Sequence, residues 1–338
     1  MIVKMRKSPA FAGFVLLIIS MALNILVQGG SFFNPTNLNT LFAKNMPLVL
    51  TAMAQCVVML VGCIDLSIGY QLSLANVIAI MAPKALGWPL WAGWLAGVAA
   101  VLVISAVNGL VVGYLRIPPL LATFSMGYII RGINVIIMSK PQGSVPKSIY
   151  QLYDSRLLGI PFSFWLMLVM LLIWYIIKKY PIGNYILAVG GNERNTYASG
   201  INTPMIKLKA YIISGFITAV AGLTLTAMAA SGNPLMGDSY TLKSVAACIL
   251  GGILISGGWG SMMGAVFGSF FLALVQNTVF FLFSWFSVSI PGFKLSSYYQ
   301  NLVSDVIILV GLTTTVFTSK PQIANVLKLV KGGRKNAK

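Results

Sequence analysis

The chain has little charge and no histidine. Only 8% of its 338 residues are charged, whereas an ordinary soluble domain carries about a quarter. With 58% hydrophobic residues and a mean hydropathy of +0.88, the sequence falls outside the soluble globular class. The absence of histidine excludes histidine-based acid–base or metal chemistry, and the three cysteines fit no metal-binding spacing. We therefore expect no metal site.

Apolar runs of about 20 residues, the length that crosses a bilayer, recur along the chain. We predict an all-α, polytopic membrane protein with about ten transmembrane helices in a single transmembrane domain, 1–338. The predicted helices are 11–28, 45–63, 66–83, 91–114, 118–138, 162–178, 209–230, 241–257, 261–283 and 298–316. The turns at 64–65 and 258–260 are tight, so a helix broken within the membrane is the alternative at each.

The charges are almost all basic, with 23 lysines and arginines against five acids. In this layout fifteen basic residues lie in inner segments and seven in outer segments, with Arg131 inside a span. The positive-inside rule then places both termini in the cytoplasm. The cytoplasmic parts are a short N-terminal tail, 1–10, a loop, 179–208, and a basic C-terminal tail, 317–338. No soluble domain is available to carry a basic patch, so we expect a lipid bilayer and no nucleic acid as partner.

Two functional parts of a self-sufficient pump are missing. The chain has no G-x-x-x-x-G-K-[ST] loop to cradle phosphates, and its outer loops are too short for a capture domain. A transporter made only of these spans must therefore take its energy from an ion gradient or from a partner. The ionisable candidates inside or near spans are Asp65, Asp305 and Arg131, and a pairing of Asp305 with Arg131 is a hypothesis from placement alone.

Asp65 lies in the turn motif "GCIDLSIG", in which Gly62, Ser67 and Gly69 are the other small or polar residues. A helix is predicted to start just after it. Asp65 is therefore expected to cap that helix by accepting hydrogen bonds from the backbone amides of Ser67 or Ile68. The alternative is a proton site within the membrane.

The inner loop contains "GGNERNTYASGI", a polar island in an apolar chain. Asn192 is a good helix cap and Gly200 a good helix stop, so we predict a short helix between them. Such a helix at the inner surface can be a docking element for a cytoplasmic partner. The alternative is a segment that only joins two spans.

This island resembles the cytoplasmic coupling loop of permease subunits from bacterial ATP-binding-cassette sugar importers of the ribose type. The residues that match the family pattern here, and that the resemblance implies couple to the ATPase, are Gly191, Asn192, Glu193, Ser199, Gly200 and Ile201, preceded by a matching Gly190. Arg194 and Asn195 stand where the family usually has alanines, and Tyr197 where it often has arginine. "GCIDLSIG" (62–69), "ILGGILISGGWGSMMGAVFGS" (249–269) and "SYYQNLVSDVIIL" (297–309) resemble further family segments in the same order.

The resemblance implies a cytoplasmic ATPase subunit that binds the ATP, an extracytoplasmic sugar-binding protein and a second permease, identical or paralogous. The chain itself would need no cofactor and would catalyse no reaction. It also implies a location in the cell inner membrane. Independently of the family, "GCIDLSIG" aligns with "GGILISGG" (251–258) at four of eight positions, which is either an internal repeat or chance.

We therefore expect a permease that forms the path of a monosaccharide, such as a pentose or a hexose. Polar side chains inside the predicted spans either line this path or join helices by hydrogen bonds. They are Asn76, Asn108, Thr123, Ser125, Asn134, Gln276 and Asn277. The alternatives are an ion-coupled secondary transporter of a small polar solute, whose uptake an ionophore would abolish, and a membrane scaffold without solute flux.

Overall fold

The structure, a computed structural model, describes residues 9–289, 299, 302–307 and 309–310. Its helices are α1 (Phe11–Gln28), α2 (Pro35–Leu60), α3 (Ile68–Leu86), α4 (Leu90–Gly113), α5 (Pro119–Ile137), α6 (Lys147–Asp154), α7 (Phe162–Lys179), α8 (Pro181–Gly191), α9 (Glu193–Ala198), α10 (Thr203–Ala229), α11 (Tyr240–Leu250) and α12 (Met262–Ser289). A 3₁₀ turn, Gly29–Phe33, follows α1. Two short antiparallel strands, β1 (Arg156–Leu157) and β2 (Ile160–Pro161), pair between α6 and α7.

The predicted all-α membrane class is confirmed. Within the described part of the chain, seven helices are long and apolar enough to cross a membrane. The count of ten and the orientation of the termini stay predictions. The tails 1–8 and 317–338 and most of the predicted helix 298–316 lie outside the described residues.

The core surrounds α2. Every residue of α2 from Met46 to Leu60 is buried, because α7, α10 and α11 pack against it. A helix that is buried on all sides has no polar face, and this half of α2 is almost entirely apolar. The other long central helix, α10, packs against α2, α3 and α4. The chain divides into two compact units, 1–273 and 274–338, and this core belongs to the first.

Several predicted boundaries were wrong, each for a local reason. Helix α2 begins ten residues earlier than expected, because Asn34 accepts a hydrogen bond from the amide of Thr36 and Pro35 fixes the first turn. Likewise, α10 begins at Thr203 because the Asn202 side chain accepts from the amide of Met205. Helix α11 ends at Leu250, seven residues early, because the chain turns at Gly252 with φ +87°.

The two long loops contain more structure than the sequence indicated. The outer segment 139–161 holds α6 and the hairpin β1–β2, whose turn places Leu158 and Gly159 at positive φ. The inner segment 179–208 is mostly helical, since α8 and α9 fill it before α10 begins. The predicted inner loop is therefore a folded element.

Candidate functional site

The polar island forms the short helix that the sequence predicts. The Asn192 side chain accepts a hydrogen bond of 2.9 Å from the amide of Asn195, and Glu193 is the first helical residue. Thr196 is the only fully buried residue of α9, and its hydroxyl donates to the Ala188 carbonyl of α8 over 2.9 Å. Gly200 follows the helix with φ +83°, as a left-handed stop requires. Helix α9 is thus a fixed element held on α8.

One face of α9 is open. The predicted coupling residues Gly191, Asn192, Glu193, Ser199 and Gly200 are all exposed, and Ile201 is partly buried. Tyr197 projects between them with 62% of its surface exposed. A Cβ atom added at Gly191 or at Gly200 would meet no atom within 4 Å. No other described segment of the chain therefore covers the exposed face of α9 at these two glycines.

Glu193 is engaged within the chain. One carboxylate oxygen lies 2.7 Å from Nζ of Lys207 on α10, and the other accepts from the Thr203 hydroxyl at 3.3 Å. Because Lys207 is 14% exposed and Glu193 48%, the pair is half-buried rather than solvated. The carboxylate ties α9 to the start of α10, a role that the sequence did not indicate.

A groove of about 520 Å³ lies beside α9. Its walls come from α9, the start of α10 and the turn between α4 and α5, and they include Arg116, Pro119, Glu193, Arg194, Tyr197 and Lys207. Among the described residues, the guanidinium groups of Arg116 and Arg194 form no hydrogen bond or ion pair, whereas Lys207 is neutralised by Glu193. The groove therefore presents two unpaired positive charges. The sequence marks Arg116 only as one of the fifteen basic residues in the inner segments.

Helix α8 ends at a three-way contact between glycines. A Cβ added at Gly190 would overlap with the Leu60 carbonyl oxygen and lie 2.5 Å from the Gly258 amide nitrogen. A Cβ at Gly257, whose φ is +82°, would lie 2.5 Å from the Cα of Gly62. The amide of Gly258 donates to the Leu60 carbonyl over 3.0 Å. We name this backbone contact between residues 60–62, 190–191 and 257–258 the glycine crossing.

The glycine crossing joins three segments that are far apart in sequence. The turn after α2 and the turn after α11 both contact the residues that immediately precede α9. These two turns are the segments whose sequences align with each other. The glycines were visible in the sequence, but their mutual contact was not. The residues at the start of α9 are therefore packed directly on the two turns that follow α2 and α11.

The turn after α2 is held by Asp65, which is 2% exposed. Its Oδ1 accepts from the Ser67 amide at 2.8 Å and from the Ser67 hydroxyl at 2.5 Å, while Gln71 donates to Oδ2 at 3.4 Å. The expected bond to Ser67 is present. However, α3 begins at Ile68 with Ser67 at the N-cap position, so Asp65 lies two residues ahead of the cap. It fixes the turn rather than the helix terminus, while Gly62 and Gly69, at either end of the motif, pack against other backbone segments.

Residues 37–312 match the family described as "Branched-chain amino acid transport system / permease component". The chain belongs to this permease family. The ribose import permease of Haemophilus influenzae is 32% identical over 312 residues, which cover 88% of this permease and 90% of that protein. The ribose import permease of Bacillus subtilis is 30% identical over 91% of this permease and 92% of that protein.

A relative named for another sugar also matches. The D-allose transport system permease of Escherichia coli is 27% identical, over 86% of each chain. No solved structure matches the permease. Family membership and the apolar helices together identify the chain as a multi-pass membrane protein.

Four of the predicted path residues of the permease are fully buried and hydrogen-bonded within the chain. Asn76 donates to the Thr226 hydroxyl at 2.9 Å and accepts from the amide of Asn233 at 2.8 Å. The others in this group are Asn108, which donates to the Ser67 hydroxyl, Thr123, which donates to the Ile64 and Pro119 carbonyls, and Asn134, which donates to the Tyr70 carbonyl. Apart from the bond between Thr123 and Pro119, which lies within α5, each contact joins two segments of the bundle.

The remaining three path candidates differ. Ser125 is exposed on α5, two residues from the buried positions Thr123 and Gly127. Gln276 and Asn277 lie on α12 in the second compact unit and are partly buried. Whether any of the seven contacts a solute stays a prediction.

The pairing of Arg131 with Asp305 stays a hypothesis, but Arg131 has a partner that the sequence did not indicate. Nε of Arg131 lies 3.1 Å from Oδ2 of Asp238, in the loop between α10 and α11. The loop reaches Arg131 because its backbone runs along α3: the Gly237 amide donates to the Ser73 hydroxyl at 2.8 Å. The sequence does not indicate this path, since 230–239 reads as an ordinary outer loop of the permease.

Proposed function

We propose that the chain is the membrane-spanning subunit of an ATP-binding-cassette importer in the cell inner membrane, and that it forms the translocation path of a monosaccharide. An extracytoplasmic binding protein delivers the sugar, and cytoplasmic ATPase subunits bind and hydrolyse the ATP. A second permease, identical or paralogous, completes the path. The relatives are named for ribose, allose, fructose and L-arabinose, which favours a pentose or hexose as the solute.

The observation that carries the proposal is helix α9. It is short, capped and exposed on one face, which suits docking onto a partner, and its base is packed on the glycine crossing. Closure of the ATPases on ATP then displaces α9, and the backbone contacts at Gly190 and Gly258 pass the displacement to the turns after α2 and α11. Because these contacts join backbone to backbone, no flexible side chain can absorb the movement.

The groove beside α9 indicates the chemistry of the docking partner. Two unpaired guanidinium groups, Arg116 and Arg194, face a concave surface that also carries the Tyr197 ring. Arginine and tyrosine are enriched at the energetic centres of protein interfaces. A carboxylate side chain of the ATPase subunit would fit between the two guanidinium groups as a bidentate partner.

The docking experiment uses two tyrosines of equal exposure. Tyr197 on α9 and Tyr180, between α7 and α8, are each 62% exposed. We expect Tyr197→Ala to weaken co-purification of the ATPase subunit about tenfold, because truncating a central interface tyrosine costs about 1–2 kcal/mol or more. Tyr180→Ala should retain the ATPase at the wild-type level. Equal retention by both variants would refute docking on α9.

The transport experiment reconstitutes the wild-type permease with its ATPase and binding protein in vesicles. Uptake of labelled D-ribose, D-allose, D-fructose and L-arabinose is measured with and without ATP, and with an ionophore. We expect at least one sugar to accumulate only with ATP and to be insensitive to the ionophore. Uptake that requires an ion gradient and survives without ATP would refute the proposal.

A further inference from the structure

Arg131, which pairs with Asp238, lies within a predicted span. Arg131 stands twelve residues after Pro119 and six before Ile137, so it is about 18 Å and 9 Å from the two ends of α5. The side chain of Arg131 is 42% exposed and that of Asp238 is 26% exposed. The pair is therefore partly desolvated and also open on one side.

This open side is unsuited to contact with lipid tails. A charged side chain at the centre of a bilayer costs about 2.5–3.5 kcal/mol, and such residues normally face a bundle interior or a water-filled cavity. The loop that carries Asp238 is non-helical, and Asn233 and Gly237 donate their amides to Asn76 and Ser73 of α3. Non-helical backbone at this depth is tolerated only where protein buries it or where it lines water. The face therefore lines either an aqueous path or a protein contact.

The groups around the ion pair favour a path for a polyol. The rings of Tyr70 and Tyr128 lie 6.0 Å apart, and Phe124 contacts Tyr128 edge-on with centroids 4.9 Å apart. Tyr128 and Phe124 are half exposed. Among the described residues, the buried atoms Oδ1 of Asp238 and Oδ1 of Asn134 have no hydrogen-bond partner. The cluster thus combines aromatic surface with a partly exposed carboxylate, a guanidinium donor and two phenol hydroxyls.

We propose that Tyr70, Tyr128, Arg131 and Asp238 form a contact site for the monosaccharide on its way through the permease. A sugar ring has apolar C–H faces that pack on aromatic rings, and hydroxyls that donate to a carboxylate and accept from a guanidinium group. Small-molecule sites combine such aromatic surface with a few well-placed polar groups. The inference rests on the proposed function, because it names the solute class of the same path.

Thiol accessibility tests whether this face lines water, independently of transport. Tyr128 and Ile129 are adjacent on α5, at the same depth and with similar exposure of 50% and 56%, but they point about 100° apart. The three native cysteines are at most 2% exposed, so they give little background. A charged, water-soluble methanethiosulfonate reagent should label Tyr128→Cys at least tenfold faster than Ile129→Cys in membrane vesicles. Labelling at equal rates, or faster labelling of Ile129→Cys, would overturn the proposal.

Sugar discrimination distinguishes a contact site from a structural ion pair. We expect Asp238→Asn and Arg131→Gln to lower ATP-driven uptake at least tenfold and to change the ratio of uptake between D-ribose and D-allose at least threefold. Co-purification of the ATPase should stay within twofold of the wild type. The paired exchange Arg131→Asp with Asp238→Arg restores opposite charges without restoring their positions toward a solute, so its uptake should stay low.

Full recovery of uptake by the paired exchange, with the wild-type sugar ratio, would mean that the ion pair only holds the fold, and it would refute the contact site. Failure of the proposed function looks different. In that case the wild-type permease itself shows no ATP-driven uptake of any of the four sugars, whereas the thiol labelling still reports whether the face lines water.

Discussion

The glycine crossing gives the sharpest test of how α9 could act on the bundle, because two adjacent glycines have opposite surroundings. A Cβ added at Gly190 would overlap with the Leu60 carbonyl oxygen and lie 2.5 Å from the Gly258 nitrogen. A Cβ added at Gly191 meets nothing within 4 Å. Both residues are in the last turn of α8, so Gly190→Ala and Gly191→Ala change the same intrinsic helix preference.

The size of the effect follows from these distances. Ordinary van der Waals contact begins at 3.4 Å, so Gly190→Ala must open the contact with the Gly258 nitrogen by about 0.9 Å and the contact with the Leu60 carbonyl oxygen by more. Overpacking of this kind costs about 1–3 kcal/mol. Alanine in a helix is favoured over glycine by about 0.5–1 kcal/mol. We expect Gly190→Ala to destabilise the fold by about 1–2 kcal/mol and Gly191→Ala to be neutral or slightly stabilising.

The native cysteines provide the assay. Cys56, Cys63 and Cys248 are buried in the first compact unit, so a thiol-reactive fluorescent dye reports thermal unfolding of the purified permease. Gly190→Ala should unfold at a lower temperature than the wild type. In vesicles, the ATPase subunits assembled with this variant should hydrolyse more ATP for each sugar imported, because the separated backbones transmit less of the movement of α9. Gly191→Ala, the steric control, should match the wild type in unfolding temperature. If Gly190→Ala matches the wild type in both measurements, the close approach at the crossing and its coupling role are refuted.

Three further predictions concern other parts of the molecule. Asp65→Asn should retain most transport, because the amide oxygen can still accept from Ser67. Asp65→Leu leaves those donors unpaired at a cost of about 1–3 kcal/mol and should lower the yield of folded protein. A normal yield of Asp65→Leu would contradict this role. Arg116→Ala should weaken binding of the ATPase subunit at low salt. It should have little effect at 1 M salt, where charges are screened within about 3 Å. A loss of binding that does not depend on salt would indicate a packing role instead. Leu158 is 83% exposed in the hairpin turn. A cysteine that replaces it should react with an impermeant thiol reagent only from the outside of the membrane. Labelling only from the inside would reverse the predicted topology.

The sequence predicts best those elements that depend on local composition. The bounds of α1, α4, α5 and α7 are correct to within about one residue, because an apolar run ends at a glycine, a proline or a polar pair at both ends. The short helix α9 is predicted correctly from Asn192 and Gly200, since capping is also a local property.

The sequence fails where a tertiary contact decides the structure. The apolar residues after Leu250 read as a continuing span, but Gly251 and Gly252 pack against Gly264 and the Pro9 carbonyl, and the helix stops there. Asp238 lies 107 residues from Arg131, and no periodic pattern connects a loop residue to a helix so far away. Glu193 likewise reads as a free surface charge until α10 is placed beside it.

The two proposed sites are connected by a short stretch of backbone. Gly62, in the glycine crossing, and Tyr70, beside the ion pair, are only eight residues apart and flank the turn that Asp65 fixes. Gly69, next to Tyr70, packs so closely on Gly237 that neither position leaves room for a side chain, and Asp238 follows directly. On the proposed mechanism, a displacement of α9 that reaches Gly62 would also shift the loop that carries Asp238, because close-packed backbone transmits strain. We therefore propose that docking on α9 changes the geometry of the proposed sugar contact along this stretch of backbone.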